Sequence, residues 1–572
     1  MSPGLMSAGL GSVPAAQTYL DITQGNRVFD ALYDSELPRF DGNCPSWFSA
    51  VEERADSAPA DIVPGLLTST LAVAGVDVRA RGEASCTFSP PGAEARAGGV
   101  STKKLSGTPR PHGPQPPFEV RGTSLQVLPS VVRTLRGDDL LIAIERPPPG
   151  KNRELAIGIA GKGYNGNLTS ESTRLDGYVL STDLAPTILD WFGIEPPSQM
   201  SGQPIRSEGK VDAVAVAALG DRMAVISERR GPVIGFSLLL WIVVLALGIA
   251  VTRGAAARLG VRVVGLAVVY LPLVLLAAAA AEPGQTGEVL LAMLGAPLLA
   301  GATLALFEGY RALAVASGLT VLAYAIDVIA GSPLTTLSLL GPNPGLGVRF
   351  YGIGNELEAL LAVLIVAGTG AGLTGFAPRT SPRRGAVAFL AIGIGAAFVF
   401  AAGRFGADVG AAIVFPVGAA VAAAVIAARR RRSALFVIAL PFAVLALLAL
   451  GDLLSGANAH LTRSVLDAGG LGDLGDVVQR RLQLSAHSFT RPIVFVFLPL
   501  VAVLAALAVA RRDRLQAWLA GHAAMRAGLI GAAVATVVGA LANDSGALVL
   551  EIGAAYLLVF AGFTWAEARA EP

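Results

Sequence analysis

From Gly231 onward the chain is a succession of apolar runs rich in Ala, Leu, Val and Gly, broken by short polar stretches. A helix of about 20 apolar residues crosses a hydrocarbon core about 30 Å thick. Spans are therefore expected at 232–251, 259–281, 288–307, 311–330, 357–375, 385–402, 408–428, 433–451, 492–510, 526–541 and 547–564, about eleven in all. With 53% hydrophobic and 15% charged residues, the composition excludes a single soluble domain. The polar residues concentrate in 1–230, so the chain divides into a soluble domain, 1–230, and a membrane domain, 231–572.

Arginines orient the spans, because short cytoplasmic loops carry the excess of basic residues. Arg253, Arg258 and Arg262, then Arg311, then Arg379, Arg383 and Arg384, then Arg429–Arg432, then Arg511, Arg512, Arg514 and Arg526 all fall on alternate loops. That side is the cytoplasm, which places residues 1–230 outside and the C-terminus inside. Arg229 and Arg230 are the exception, lying on the opposite side. The protein is thus expected in the cytoplasmic membrane. Met1–Gly11 has no basic segment followed by an apolar one, so export of the domain calls for a preceding segment or a different start.

The soluble domain reads as α/β. Strands are expected at Asp139–Ile144 and Leu155–Ile159, helices at Pro64–Ala74 and Leu184–Phe192, and a loop at Pro90–Pro117. The only cysteines, Cys44 and Cys86, would form a disulfide outside the cytoplasm; two unrelated buried thiols are the alternative. A net charge of +2, with basic residues spread between apolar runs, gives no reason to expect nucleic acid.

With this topology the polar residues that are not cytoplasmic anchors fall on outer loops. The most distinctive stretch is GLGVRFYGIGNELE, Gly345–Glu358, which places glycine-rich backbone and Arg349, Asn355, Glu356 and Glu358 between two apolar runs. Irregular backbone at membrane depth survives only where protein buries it or a wet cavity solvates it. Arg404 and Asp408 are four apart at a hairpin mouth, either an ion pair or a site with Asp408 as base. Asn543-Asp544 separates two spans, as a helix cap or as a ligand in a broken helix. Asp327 lies inside the fourth span, as a packing residue or an ion-coupling group. The long loop 452–491 carries His460, Arg463, Arg480, Arg481 and His487, and arginine forks with a histidine suit a phosphorylated lipid headgroup.

Residues 181–205, STDLAPTILDWFGIEPPSQMSGQPI, resemble the closing segment of the alkaline-phosphatase superfamily. Gly4–Arg27 is similar to the stretch following that family's first strand and helix. The resemblance implies an alkaline-phosphatase-like soluble domain whose first strand is missing, with Thr18 nearest to the nucleophile position. It implies divalent metal too, but the chain reads Ile144-Glu145-Arg146-Pro147 where an Asp-His pair is expected, and His112 is the domain's one histidine. The ligands for a metal site are not found, so no cofactor is expected and the domain reads as a degenerate, inactive relative. The overall plan is similar to that of GPI-anchor ethanolamine-phosphate transferases and of actinobacterial membrane proteins with an RFYGIGNE-type motif.

The resulting expectation is a bacterial envelope transferase that takes membrane lipid, in the form of a lipid-linked phosphate or glycan, at the outer face. Its catalytic residues would be Glu356, Asp408 and His460. Its substrate-binding residues would be Arg349, Asn355, Arg404, Arg463, Arg480, Arg481, Asn543 and Asp544. A secondary transporter or flippase, and a non-catalytic envelope scaffold, are the alternatives.

Overall fold

Burial of apolar runs and satisfaction of backbone polar groups select helices for most of this chain. The structure, a computed structural model, describes residues 1–40, 42–58, 60–81, 85–88, 117–252, 254–428, 433–454, 485–486, 488–490 and 494–568. Two compact units emerge: Met1–Val225 with Asn343–Phe350, and Ile226–Pro342 with Tyr351–Pro572.

In the first unit the main sheet contains β1 (Ser2–Ser7), β2 (Leu141–Ile144), β3 (Glu154–Ala160) and β4 (Tyr178–Leu180), in the order β2-β3-β1-β4. β1 runs antiparallel to β3 and parallel to β4. The sequence reading does not single out β1. β1 occupies the interior of the sheet, with Met6 fully buried beside Ile157, Ile159 and Val179. Its sequence, SPGLMS, conceals it: Pro3 and Gly4 are poor strand formers and leave no alternating pattern.

Helix α1 (Ala15–Gln24) follows β1, and α2 (Cys44–Asp56), α3 (Leu66–Val73) and α4 (Leu184–Trp191) complete the framework used below. Observed β2 and β3 lie within a residue or two of the expected strands, as α3 and α4 do of the expected helices. The expected loop Pro90–Pro117 lies, but for its last residue, outside the described residues. Cys44 is bonded to Cys86 across a Cα–Cα distance of 5.3 Å. This closes α2 onto the cluster of Leu20, Trp47, Phe48 and Val51. Thr18, the nearest match to a nucleophile, is fully buried in α1 with no hydrogen-bond partner for its hydroxyl among the described residues.

Two buried carboxylates tie this unit together. Asp183 accepts hydrogen bonds from the Ser170 and Ser172 hydroxyls, each at 2.6 Å, and from the Leu180 and Gln203 amides at 3.0 and 2.9 Å. The aspartate of STDLAPTIL is thus a structural clamp on the turn before α4. Asp21 accepts from Gln17 and Gln24 at 2.7 and 3.1 Å. Burial pushes its carboxyl up to about 7, against the opposing pull of the Gln17 hydrogen bond and of Arg27 and Arg54.

The second unit contains nine described helices long and apolar enough to cross a membrane, and the protein is a multi-pass membrane protein on that basis. They are α5 (Ala213–Val251), α6 (Ala255–Ala281), α7 (Gln285–Leu306), α8 (Tyr310–Ile329), α9 (Asn355–Phe376), α10 (Pro382–Ala401), α11 (Val409–Ile426), and, later in the chain, Ala523–Ala542 and Gly546–Ala568. The first of these begins in the soluble unit, since the division falls at Val225. Two more apolar helices, α12 (Ser433–Leu454) and α13 (Val494–Ala510), stand where the eighth and ninth spans are expected. The last two spans are α14 (Ala523–Ala542) and α15 (Gly546–Ala568).

Helix α9 is buried along most of its length. Small residues let its neighbours approach. A Cβ on Gly528 would stand 3.0 Å from the Val366 carbonyl oxygen, and one on Gly418 would stand 3.0 Å from the Val366 side chain. This brings α9, α11 and α14 together at backbone distance.

Asp21 makes a testable contribution to pH dependence. Unfolded, its carboxyl ionises at its ordinary value of 3.8; folded, at about 7. Between those values the folded chain holds a proton that the unfolded chain has released. The stabilisation is full below pH 4 and is lost as pH rises through 7, at up to about 1.4 kcal/mol per pH unit. Asp21→Asn stays neutral and should remove this slope. Hydrogen exchange of the α1 amides across that pH range checks it; equal slopes in both proteins would contradict it.

Candidate functional site

Three connections between helices of the membrane unit meet around one buried carboxylate. The first is Tyr351–Gly354, ahead of α9. The second is Ala402–Asp408, between α10 and α11. The third is Asn543–Ser545, between α14 and α15.

Glycine makes the first junction possible. Gly352 has φ +76°, and a Cβ there would overlap the Gly406 carbonyl. The Ile353 amide donates to that carbonyl at 3.1 Å, and the Gly352 amide donates to the Ser332 hydroxyl at 3.0 Å. The first and second connections are thereby pinned to each other.

Glu358 stands in the first turn of α9 and is fully buried. Its Oε2 accepts from Asn543 Nδ2 at 2.9 Å, and Asn543 also donates to the Gly539 carbonyl at 3.1 Å. Gly410, the second residue of α11, faces this pair so closely that a Cβ would overlap Glu358 Oε2 and lie 3.1 Å from Asn543 Oδ1. Asn355 donates to Asp544 at 2.7 Å. Nearby, the Ser485 hydroxyl donates to the Ala540 carbonyl at 2.8 Å, and the Ala547 amide donates to the Ser488 hydroxyl at 3.0 Å. Asparagine and serine thus satisfy backbone groups where α14 gives way to α15.

The remaining expected residues separate by role. Glu356 is paired with Arg230 at 3.3 Å. Arg230 also donates to the Gly341 carbonyl. Arg229 is paired with buried Glu288 at 3.3 Å. The two basic residues that break the arginine asymmetry are therefore neutralised by carboxylates. Asp408 is buried and caps α11, accepting from the Gly410 and Ala411 amides at 2.9 and 3.3 Å.

Arg404 is exposed, with its guanidinium 5.4 Å from the Phe405 ring centroid. The i, i+4 reading of Arg404 and Asp408 is corrected: the helix ends at Ala401 and resumes at Val409, and Ala407 has φ +51°. Helical spacing does not apply across that turn. Asp327 caps the short helix Pro333–Leu337, accepting from the Leu334 and Thr335 amides at 3.1 and 2.7 Å. Both its oxygens serve the packing role. Arg349 belongs, with the rest of Asn343–Phe350, to the first unit. His460, Arg463, Arg480, Arg481 and His487 lie outside the described residues.

The cluster therefore joins Asn355, Asn543 and Asp544 of the expected residues to Glu358 and Gly410, while Glu356 pairs separately with Arg230. Glu358 stood in the sequence motif but without a role; two residues after Glu356 in a helix, it points to a different face. Arg230 was visible only as an exception to the charge pattern. Among the described residues no group of three or more His, Cys, Asp and Glu side chains is placed to hold a metal ion.

A methyl group at Gly410 tests the geometry. Gly410→Ala should push Glu358 off Asn543 and destabilise the membrane unit by about 1–3 kcal/mol, as overpacking does. Thermal unfolding in detergent checks this. An unchanged midpoint would show that Gly410 and Glu358 do not meet.

The chain matches no family model, no curated protein and no solved structure.

Proposed function

We propose that this is a bacterial envelope protein of the cytoplasmic membrane that binds a lipid-linked phosphate or glycan at the outer face, through the carboxylate–amide centre at Glu358. The observation that carries this reading is the convergence of three connections between helices on a buried ionisable side chain at the start of a spanning helix. Ionisable residues in membrane spans are costly and recur on substrate and ion paths.

The chemistry of the centre favours a hydroxylated headgroup. Glu358 and Asp544 are acceptors, and Asn355 and Asn543 supply amides that both donate and accept. Sugar hydroxyls match that mixture. In a transferase, Glu358 takes the proton of an attacking hydroxyl as general base, a role assigned above to Glu356 and Asp408 before their ion pair and helix cap were seen. The soluble unit then serves to hold an acceptor, without phosphatase chemistry of its own. Its placement outside the cytoplasm draws support from the Cys44–Cys86 disulfide, which oxidising compartments favour, and from the arginine pattern. The C-terminus is then cytoplasmic.

A second reading, proton-linked transport of the same lipid, is favoured by the position of Glu358 in a spanning helix. Both need an ionisable Glu358, and they part on the conservative variant. In transfer, Glu358→Asp should cut turnover by about 10²-fold or more because the base is displaced. Transport should largely survive it.

The reading is tested on full-length protein in nanodiscs drawn from its native membrane, with bound lipids measured by mass spectrometry. Wild type should retain a phosphate- or glycan-bearing isoprenoid or glycerolipid above the bulk lipid, and Glu358→Gln and Asn543→Ala should each lose it by about tenfold, as expected for one charged hydrogen bond. Identical lipid profiles in all three would overturn the proposal.

A further inference from the structure

Arg229 and Arg230, the two arginines that break the charge pattern, are held in different ways. Arg229 donates to the Pro283 carbonyl and to Glu288, at 3.1 and 3.3 Å. Its side chain is 20% exposed and that of Glu288 is 0% exposed. An anion that displaced Glu288 would leave a buried charge without its partner, so this pair is fixed. The Arg230 and Glu356 side chains are 30% and 28% exposed, and they meet at 3.3 Å. An ion pair this wet contributes little, and its carboxylate can part from the arginine and be solvated.

Arg230 also has capacity to spare. A guanidinium carries five N–H donors in a rigid fork. Among the described residues, Nη1 donates to Glu356 Oε1 and Nη2 donates to the Gly341 carbonyl. Nε is shut off from solvent and has no hydrogen-bond partner there. Glu356 meets the fork through one oxygen and one nitrogen, so the two-pronged grip that arginine makes on a carboxylate or phosphate is not formed. The Gly341 carbonyl, a backbone group, keeps the fork aimed while Nη1 exchanges partners.

The pair lies in the turn that carries the Glu358 centre. Asn355, Glu356 and Glu358 all stand in the first turn of α9, and they reach Asp544, Arg230 and Asn543. Residues two apart are separated by about 200° around a helix, so Arg230 and Asn543 flank different sides of this turn. A ligand with a phosphate at one end and hydroxyls at the other would meet a cation on one side, and carboxylates and carboxamides on the other.

We propose that Arg230 is the phosphate-binding residue of the membrane unit, and that Glu356 is a placeholder it releases when a lipid-linked phosphate arrives. The phosphate accepts from Nη1 and from the unused donors of the fork, and the freed carboxylate turns to water. This role for Arg230 rests on the lipid reading above and deepens it, since the carboxylates and carboxamides around Glu358 bring no cation of their own.

The test uses the full chain in phosphatidylcholine nanodiscs, with farnesyl phosphate and farnesol as probes that differ only in the phosphate. Wild type should bind farnesyl phosphate more tightly than farnesol by about tenfold or more, as charge-assisted hydrogen bonds do. Arg230→Gln should bring the two probes level. Glu356→Gln should tighten farnesyl phosphate by about two- to fivefold, the worth of the exposed ion pair it no longer has to break, and leave farnesol unchanged. A pair that is only a structural tie predicts no gain in Glu356→Gln, or a loss. Either result would overturn the proposal, as would an undiminished phosphate preference in Arg230→Gln. Should Arg230→Gln fail to fold, Arg230→Gln/Glu356→Gln leaves no lone charge and is held to the same criterion; failure of both to fold would show a fixed tie and overturn it too. Inorganic phosphate, lacking the apolar chain, should compete about a hundredfold more weakly than farnesyl phosphate. Equal competition would make the ligand free phosphate and overturn its lipid source. Wild type that binds neither probe overturns the lipid reading and this role with it, whereas equal binding of both probes overturns the role of Arg230 alone.

Discussion

The hydrogen bond from Asn543 to Glu358 is the contact on which the membrane unit's unusual features depend. Every connection between spanning helices leaves backbone amides and carbonyls to be satisfied. Three such connections share a neighbourhood here. Each finds partners locally: Ser332 and Gly406 for the first, the Asp408 cap for the second, Ser485 and Ser488 for the third. The Glu358–Asn543 contact reaches from one of these regions to another through two buried side chains. Asn355–Asp544 repeats the link at a more accessible position. An arrangement serving stability alone would be simpler with apolar residues there.

The soluble unit answers a different physical problem. It builds its sheet around a short first strand and ties α2 down with Cys44–Cys86. Asp183 and Asp21 are held by hydroxyls, amides and carboxamides. The residues that gave the chain its likeness to phosphatases are thus occupied structurally.

Much of the membrane architecture was legible because span length is a physical requirement that sequence displays directly. The described spans fall close to the expected ones, from Ala255–Ala281 to Gly546–Ala568. Strand β1 was not legible, because six residues with Pro3 and Gly4 carry no period. The Arg404–Asp408 spacing misled, because i, i+4 means proximity only inside a helix, and the helix stops at Ala401. Asn355, Asn543 and Asp544 were found through their position at span ends. Glu358 was harder: Glu356, its neighbour in sequence, offered the same chemistry, and only the fold shows Glu356 against Arg230 and Glu358 against Asn543. The seating of Pro344 and Leu346 against Tyr178 and Gly11 was beyond reach, since these partners are more than a hundred residues away.

A double-mutant cycle between Glu358 and Asn543 addresses the central contact most directly. Unfolding free energies of the membrane unit are compared for Glu358→Gln, Asn543→Ala and the pair. If this hydrogen bond joins these connections, the two changes are coupled by about 1 kcal/mol or more, as contacting buried residues are. Additivity within about 0.5 kcal/mol would mean that the two side chains act independently, and the centre described here would have no basis.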